Sequence, residues 1–440
     1  MINKNRWDGL NSSPGNFFVL YILFTLWLYY FGPIEYAGEK KIYGVLFTLF
    51  FLVISRFFYF LGSHVKIDGG RKKLPFSTRK IIRYAIIYAF VLQAVLVLQN
   101  SLVHGVNVSS IFQQSYLSRM AETYTAVEVI NTPASWMMSY TGWVKLIALV
   151  GGSYYGFSGE KKRYKIMYLG LIALIVVNTM LFVGSQKQLI DLVAYIFVPL
   201  ILRGIRDRNS IPKSIYIKVL CALIVMVLLI GTVIQSRFSL WQDRFHSQKI
   251  ISFGHINESN WMYTIMPDSI KMSLLQVINY ISQGYCGLSL CLELPFVWSK
   301  GMGFSFKFMN DISNWFHIPV AELATSYPVR MQAEFGVKAY SYWHTVFPWW
   351  ASDFTWFGAI LIVSIFVYYW GKSWRELRIF RSLPAVVFFS HLTLFVLYIP
   401  CNNQLFQTRE SIVSTLVIAL IWFFYHGTPN EDFEREKVND

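Results

Sequence analysis

Ten stretches of this chain are nearly free of charge and long enough, or close to long enough, to cross a bilayer. They fall at 17–31, 43–61, 81–103, 138–155, 166–183, 189–202, 215–235, 354–370, 383–399 and 411–424. A helix of about 20 apolar residues spans a hydrocarbon core of about 30 Å. Lipid offers the backbone no hydrogen-bond partner, so only helices and closed barrels cross it. A barrel would show alternating segments of about 10 residues, and the sequence has none. Charged residues make up 14% of the chain, against about 25% in a soluble domain. The expected fold is all-α: a polytopic transmembrane helical bundle of about 10 to 12 spans.

The formal charge of +15 raises the question of nucleic acid. Its distribution answers no. Lys66, Arg71, Lys72, Lys73, Arg79, Lys80 and Arg83 form one basic loop. Lys161, Lys162, Arg163 and Lys165 form the next, followed by Arg203, Arg206, Arg208 and Lys213, and by Lys372, Arg375, Arg378 and Arg381. All fall on one side of the expected spans, which the positive-inside rule makes the cytoplasm. Both termini are then cytoplasmic. The polar start, 1–16, has no signal-peptide core, so the first apolar stretch reads as an uncleaved anchor. The organisation expected is an N-terminal bundle over 1–235 with an outward loop at 104–140, a large outward insert over 236–353, C-terminal spans over 354–427, and a charged, disordered tail over 428–440.

The insert is where chemistry is expected. It carries Arg237, Arg244, His246, His255, Arg330, Glu334, His344 and Asp353 amid many aromatic residues. Its stretch 271–298 is apolar yet holds Gln276, Asn279, Gln283 and Glu293. A single crossing there would put the later basic loop outside. The stretch therefore reads as a helix lying at the outer interface, or as a re-entrant hairpin closed by Gly301 and Gly303.

Outward cations have no role in setting topology, and Lys187, Arg237, Arg244, Arg330 and Arg409 are outward in this reading. Such a cluster suits a diphosphate, although each residue alone also suits snorkelling to lipid headgroups. His344, Glu334 and Asp353 are the acid–base candidates. Against these stand plainer readings: His344 hydrogen-bonding a helix entry, Asp353 as an N-cap, and Glu334 paired with Arg330. Trp241, Tyr342 and Trp343 are candidates for stacking on sugar faces, and an interfacial aromatic belt accounts for rings of this kind equally. Asp191 and His391 lie within expected spans, where ionisable groups face the bundle interior. They serve a transport route, or pair with each other or with Lys187.

No phosphate loop, dinucleotide glycine pattern, HExxH or cysteine–histidine metal set occurs, so no metal and no cofactor is expected. Any activated group must arrive with the substrate. Cys221, Cys286, Cys291 and Cys401 form no CxxC pair, and a Cys286–Cys291 disulfide is left open.

With these residues in hand, the chain resembles the Wzy-type O-antigen or oligosaccharide repeat-unit polymerases. The resemblance rests on the many spans with a large outward loop before the last few, on Gly184-Ser185-Gln186-Lys187 between two central spans, and on His344-Thr345 through Asp353-Phe354-Thr355-Trp356-Phe357-Gly358. Family members often carry Arg directly after Gly-Ser and glycine after Asp-Phe; here Gln186 and Thr355 stand in those places. The related O-antigen ligases place a functional His where His344 falls. The resemblance implies a fold similar to the membrane class C glycosyltransferases. It also implies undecaprenyl-diphosphate-linked oligosaccharide donor and acceptor as partners, along with membrane lipids, and leaves a chain-length regulator open. The implied location is the bacterial inner membrane, with the reaction at its periplasmic face. Arg237, Arg244 and Lys187 would hold the donor diphosphate, Arg330 the second, and His344 or Glu334 would take the acceptor proton. A lipid-linked oligosaccharide flippase or other multi-span transporter is the alternative.

Overall fold

The computed structural model describes residues 13–38, 40–67, 74–104, 133–183, 186–206, 254–317, 324–337, 339 and 342–425. Helix dominates. The elements are α1 (Ser13–Phe31), β1 (Ile34–Tyr36), α2 (Lys41–His64), α3 (Thr78–His104), α4 (Pro133–Tyr155) and α5 (Lys162–Asn178), which continues as a π-helical turn (Thr179–Val183). There follow α6 (Gln186–Arg206), β2 (Gly254–Ile256), α7 (Trp261–Ile265), α8 (Asp268–Leu292), α9 (Phe306–Phe316) and α10 (Tyr327–Phe335). The chain closes with α11 (Phe347–Phe380), α12 (Leu383–Tyr398) and α13 (Arg409–Tyr425). Among the described residues, five helices are long and apolar enough to cross a membrane: α1, α2, Thr78–Leu102 of α3, Lys187–Ile205 of α6, and α11. A multi-pass helical membrane protein is the class these support. The expected span at 215–235, the tail at 428–440 and most of the loop at 104–140 lie outside the described residues.

The chain divides into two compact units. The first draws on the described residues of Met1–Val65, Leu223–Lys372 and Phe395–Thr408; the second on those of Lys66–Ala222, Ser373–Leu394 and Arg409–Asp440. This division is discontinuous in sequence.

In the first unit, aromatic residues fill the core. Phe51 packs edge-on against Phe18 and Phe347, at 6.1 and 4.9 Å between ring centroids. Trp350 meets Phe366, Phe395 and Phe406. A two-stranded antiparallel ladder pairs Glu35 with His255, and the His255 ring and the Glu35 carboxylate are 2.9 Å apart. The stretch expected at the interface forms α8, a continuous helix of 25 residues. Its glycines matter: a Cβ on Gly284 would strike Pro400 O and Thr345 N, and one on Gly287 would meet His344 Cβ at 2.7 Å. Bare backbone there lets the 343–345 segment and the 399–402 turn lie directly on the helix. Cys286 and Cys291 are both free and buried on α8, so the disulfide left open by their spacing does not form.

α11 begins at Phe347, earlier than the span expected from 354, and is broken at Thr355 with φ 65° and ψ 170°. That backbone region is essentially reserved for glycine, and a β-branched residue there is strained.

In the second unit the helix directions follow from contacts. Tyr155 at the end of α4 donates to Arg381 O just before α12, and Phe388 of α12 stacks on Trp422 near the end of α13. Arg203 near the end of α6 lies against Gly156, just past the end of α4. Hence α4, α6 and α13 run in one direction and α12 runs against them. One end of this unit is basic, with Arg83 gripping Glu160 at 2.7 and 2.9 Å, and Arg203 and Arg381 nearby in the contacts above. The N-termini of α4, α6 and α13 lie at the other end.

Candidate functional site

In the first unit, His344, Asp353 and Arg330 each bond to main chain. His344 is 1% exposed. Its Nδ1 lies 3.3 Å from Thr345 O, and its ring stands edge-on to Trp349. Burial pushes its pKa down from 6.5 to about 4, opposed in part by backbone hydrogen bonds at Thr345 and Ala339. The surrounding segment is locked in turn: Thr345 N donates to Cys401 O at 2.9 Å and Val346 N to Ile399 O at 3.1 Å. This is the hydrogen-bonding role weighed for His344 from the sequence, made deeper by burial.

Asp353 sits inside α11 and not at its start, so the N-cap role falls away. Its Oδ1 accepts from Ser299 Oγ at 2.5 Å and Gly301 N at 2.8 Å. It thereby pins the 299–303 turn to the helix, which Ser299 N reinforces by donating to Ser352 O. Oδ2 is buried with no hydrogen bond. Thr355 Oγ1 takes the capping place after the break, accepting from Gly358 N at 3.5 Å. Arg330 donates to Pro295 O at 2.7 Å and lies over the Tyr327 ring, so its guanidinium is engaged away from Glu334, which is exposed on α10. Tyr342 is buried and Trp343 packs on Tyr280, 3.8 Å between centroids. The positions of Arg237, Trp241 and Arg244 lie outside the described residues, as do Gly184 and Ser185.

The second unit is different in kind. Lys187, in the first turn of α6, pairs with Asp191 at 2.9 Å. Arg409 opens α13 and lies over Trp136 and Tyr140 of α4, 5.6 Å from each centroid. Glu410 beside it pairs with Lys145 of α4 at 2.7 Å. A Cβ on Gly142 would meet the Glu410 carboxylate at 2.6 Å, so glycine there makes room for that pair. Below lies His391, buried, with Nδ1 2.8 Å from Tyr195 Oη and Nε2 2.8 Å from Thr415 Oγ1. Asp191 therefore pairs with Lys187 and His391 does not, a division the sequence left undecided.

Lys187 and Arg409 thus stand in the first turns of α6 and α13, and Lys145, midway along α4, reaches the start of α13 through Glu410. A cation in a first turn opposes the helix dipole, so Lys187 and Arg409 are placed against helix stability. Both Lys187 and Lys145 are partly open, at 28% and 20% side-chain exposure. Together with the positive helix ends, the group suits a multivalent anion. Sequence reasoning missed Lys145 and Glu410 because they lie in or next to apolar stretches; an isolated lysine in the 138–155 span was the available signal. It also missed the amide-rich turn Asn402-Asn403-Gln404, whose backbone bridges to Thr345. Among the described residues no group of three or more His, Cys, Asp or Glu is arranged to hold a metal ion.

No family model matches the chain, and neither a curated protein nor a solved structure does.

Proposed function

We propose that this protein is a polysaccharide polymerase of the inner membrane. It transfers a growing glycan from its undecaprenyl diphosphate carrier to the nonreducing end of another lipid-linked repeat unit, without metal or cofactor. The observation that supports this reading most is the set of cations toward one end of the second unit: Lys187 and Arg409 in the first turns of α6 and α13, and Lys145 of α4 paired with Glu410 beside Arg409. That cluster faces away from the basic end around Arg83, Arg203 and Arg381. Positive-inside assignment makes the basic end cytoplasmic and the cluster periplasmic. Cations and helix N-termini aimed at a leaving diphosphate stabilise the charge that develops on it. The rings of Trp136 and Tyr140 beside Arg409 offer flat faces for sugar C–H groups. The glycine-type backbone at Thr355 is a second support, because it falls where the resembled polymerases carry glycine.

The test is purified full-length protein in lipid nanodiscs with undecaprenyl-diphosphate-linked repeat units. Longer glycans on the carrier are expected. The alternative, a lipid-linked oligosaccharide flippase or other transporter, draws on the buried Tyr195–His391–Thr415 chain. In sealed vesicles it would move the units across the bilayer without lengthening them, and that result would remove the polymerase reading.

A further inference from the structure

Two carboxylates stand beside these cations among the described residues, Glu410 and Asp191, and they differ in what they do for their helices. Glu410 stands in the first turn of α13, where a negative charge favours the helix dipole. Asp191 is in the second turn of α6, behind Lys187, and a cation placed N-terminal to its acid at i,i+4 is the weaker order. An ion pair at membrane depth is also costly to desolvate, and apolar residues of similar size serve stability as well or better. Stability alone does not call for an ion pair at this place.

The neighbouring hydrogen bonds bear on what else the pair does. Thr415 Oγ donates to Ser411 O at 2.7 Å, which uses its only hydrogen. His391 must then donate through Nε2 to Thr415. Neutral His391 accepts at Nδ1, so Tyr195 donates its single hydrogen there at 2.8 Å. Tyr195 lies one turn beyond Asp191 on α6, within electrostatic reach of both Asp191 and Glu410. Its proton is committed to His391 and is not offered to Asp191. The relay keeps a nearby phenol from quenching that carboxylate, whose side chain is 18% exposed.

We infer that Asp191 is the catalytic base of the transfer and that Lys187 is its resting counter-ion, drawn off by the arriving diphosphate. This rests on the polymerase reading above. The acceptor hydroxyl gives its proton to an Asp191 carboxylate oxygen while its oxygen bonds to the anomeric carbon of the donor glycan. The bond from that carbon to the diphosphate oxygen breaks, and the electron pair leaves on the diphosphate, held by Lys187 and Lys145. Tyr195, His391 and Thr415 are positioning residues.

The experiment measures donor binding and chain extension separately, in full-length protein with undecaprenyl-diphosphate-linked repeat units. Asp191→Asn is expected to bind the donor as tightly as wild type or tighter, since a negative charge beside Lys187 is gone. Extension should fall on the order of 100-fold or more, the usual share of a general base. His391→Gln, whose amide accepts from Tyr195 and donates to Thr415, should retain activity that His391→Phe loses. The doubly neutral variant Lys187→Met with Asp191→Leu should stay folded and inactive. Recovery of extension in that double variant, or equal loss of binding and extension in Asp191→Asn, makes the pair a structural tie and overturns the inference. If wild type extends nothing, the polymerase reading itself has failed; if wild type extends and Asp191→Asn keeps pace, only the assignment of Asp191 has.

Discussion

The candidate polar side chains of the two units are held differently. In the first, His344, Asp353 and Arg330 bond to main chain: to Thr345 O, from Gly301 N, and to Pro295 O. In the second, Lys187, Lys145 and Arg409 hold other side chains: Asp191, Glu410 and two rings. A group bonded to backbone cannot leave without unfolding the turn it ties. A cation paired with a side chain can exchange that partner for a ligand of the same charge. The first arrangement builds the fold, and the second is suited to turnover.

That contrast breaks most visibly at the lysines. Lys187→Met and Lys145→Met should each cut chain extension by roughly 100- to 1,000-fold, as loss of one group aimed at developing charge does. Thermal unfolding of Lys145→Met should stay near wild type, while Lys187→Met, which takes the counter-ion from a largely covered Asp191, should melt lower yet remain folded under assay conditions. Polymer ladders of normal length from cells expressing either variant at normal level would end the contrast.

His344 should behave in reverse. His344→Ala leaves a cavity and unsatisfied carbonyls, with an expected loss of about 2 to 4 kcal/mol in unfolding free energy. Protein that does fold should extend glycans at near the normal rate. A folded, inactive His344→Ala would return this residue to the chemistry.

The same burial predicts a pH effect of known sign. The folded pKa near 4 lies below the ordinary 6.5, so the unfolded chain binds the proton more readily. Stability is then lost as pH falls from about 6.5 toward 4, by up to about 3 kcal/mol from this group. Denaturation of His344→Gln across that range should show a correspondingly shallower decline.

Thr355→Gly sharpens the comparison on the backbone side. Removing a side chain from a left-handed, glycine-type position relieves strain of about 1 to 3 kcal/mol, offset partly by a more flexible unfolded chain. A net gain of about 1 kcal/mol is expected in a thermal melt, and a loss would mean the break at Thr355 is unstrained. Smallest of all, His255→Gln on the exposed ladder should change stability by no more than about 0.5 kcal/mol.

Much of this was legible beforehand. The apolar stretches marked α1, α2, α3, α6 and α11, because lipid-spanning length and lack of charge are local properties of sequence. Boundaries were less so: α11 starts at Phe347 because Ser352 and Asp353 bond to the 299–301 turn and to α10, contacts no local pattern records. The cations Lys187 and Arg409 were picked out by lying where orientation does not require charge. Lys145 was passed over because its value comes from Glu410, far along the chain.

By itself, the sequence determined the class of the protein, the basic faces of its loops and the residue types available for an anion, since these follow from composition and spacing. Only the tertiary structure decided which partners those residues take. Burial and partner choice depend on chain segments far apart in sequence. His344 was taken into the fold by backbone arriving from Cys401 and Gly287, and Lys145 was brought to Glu410 and Arg409 by the packing of α4 beside α13.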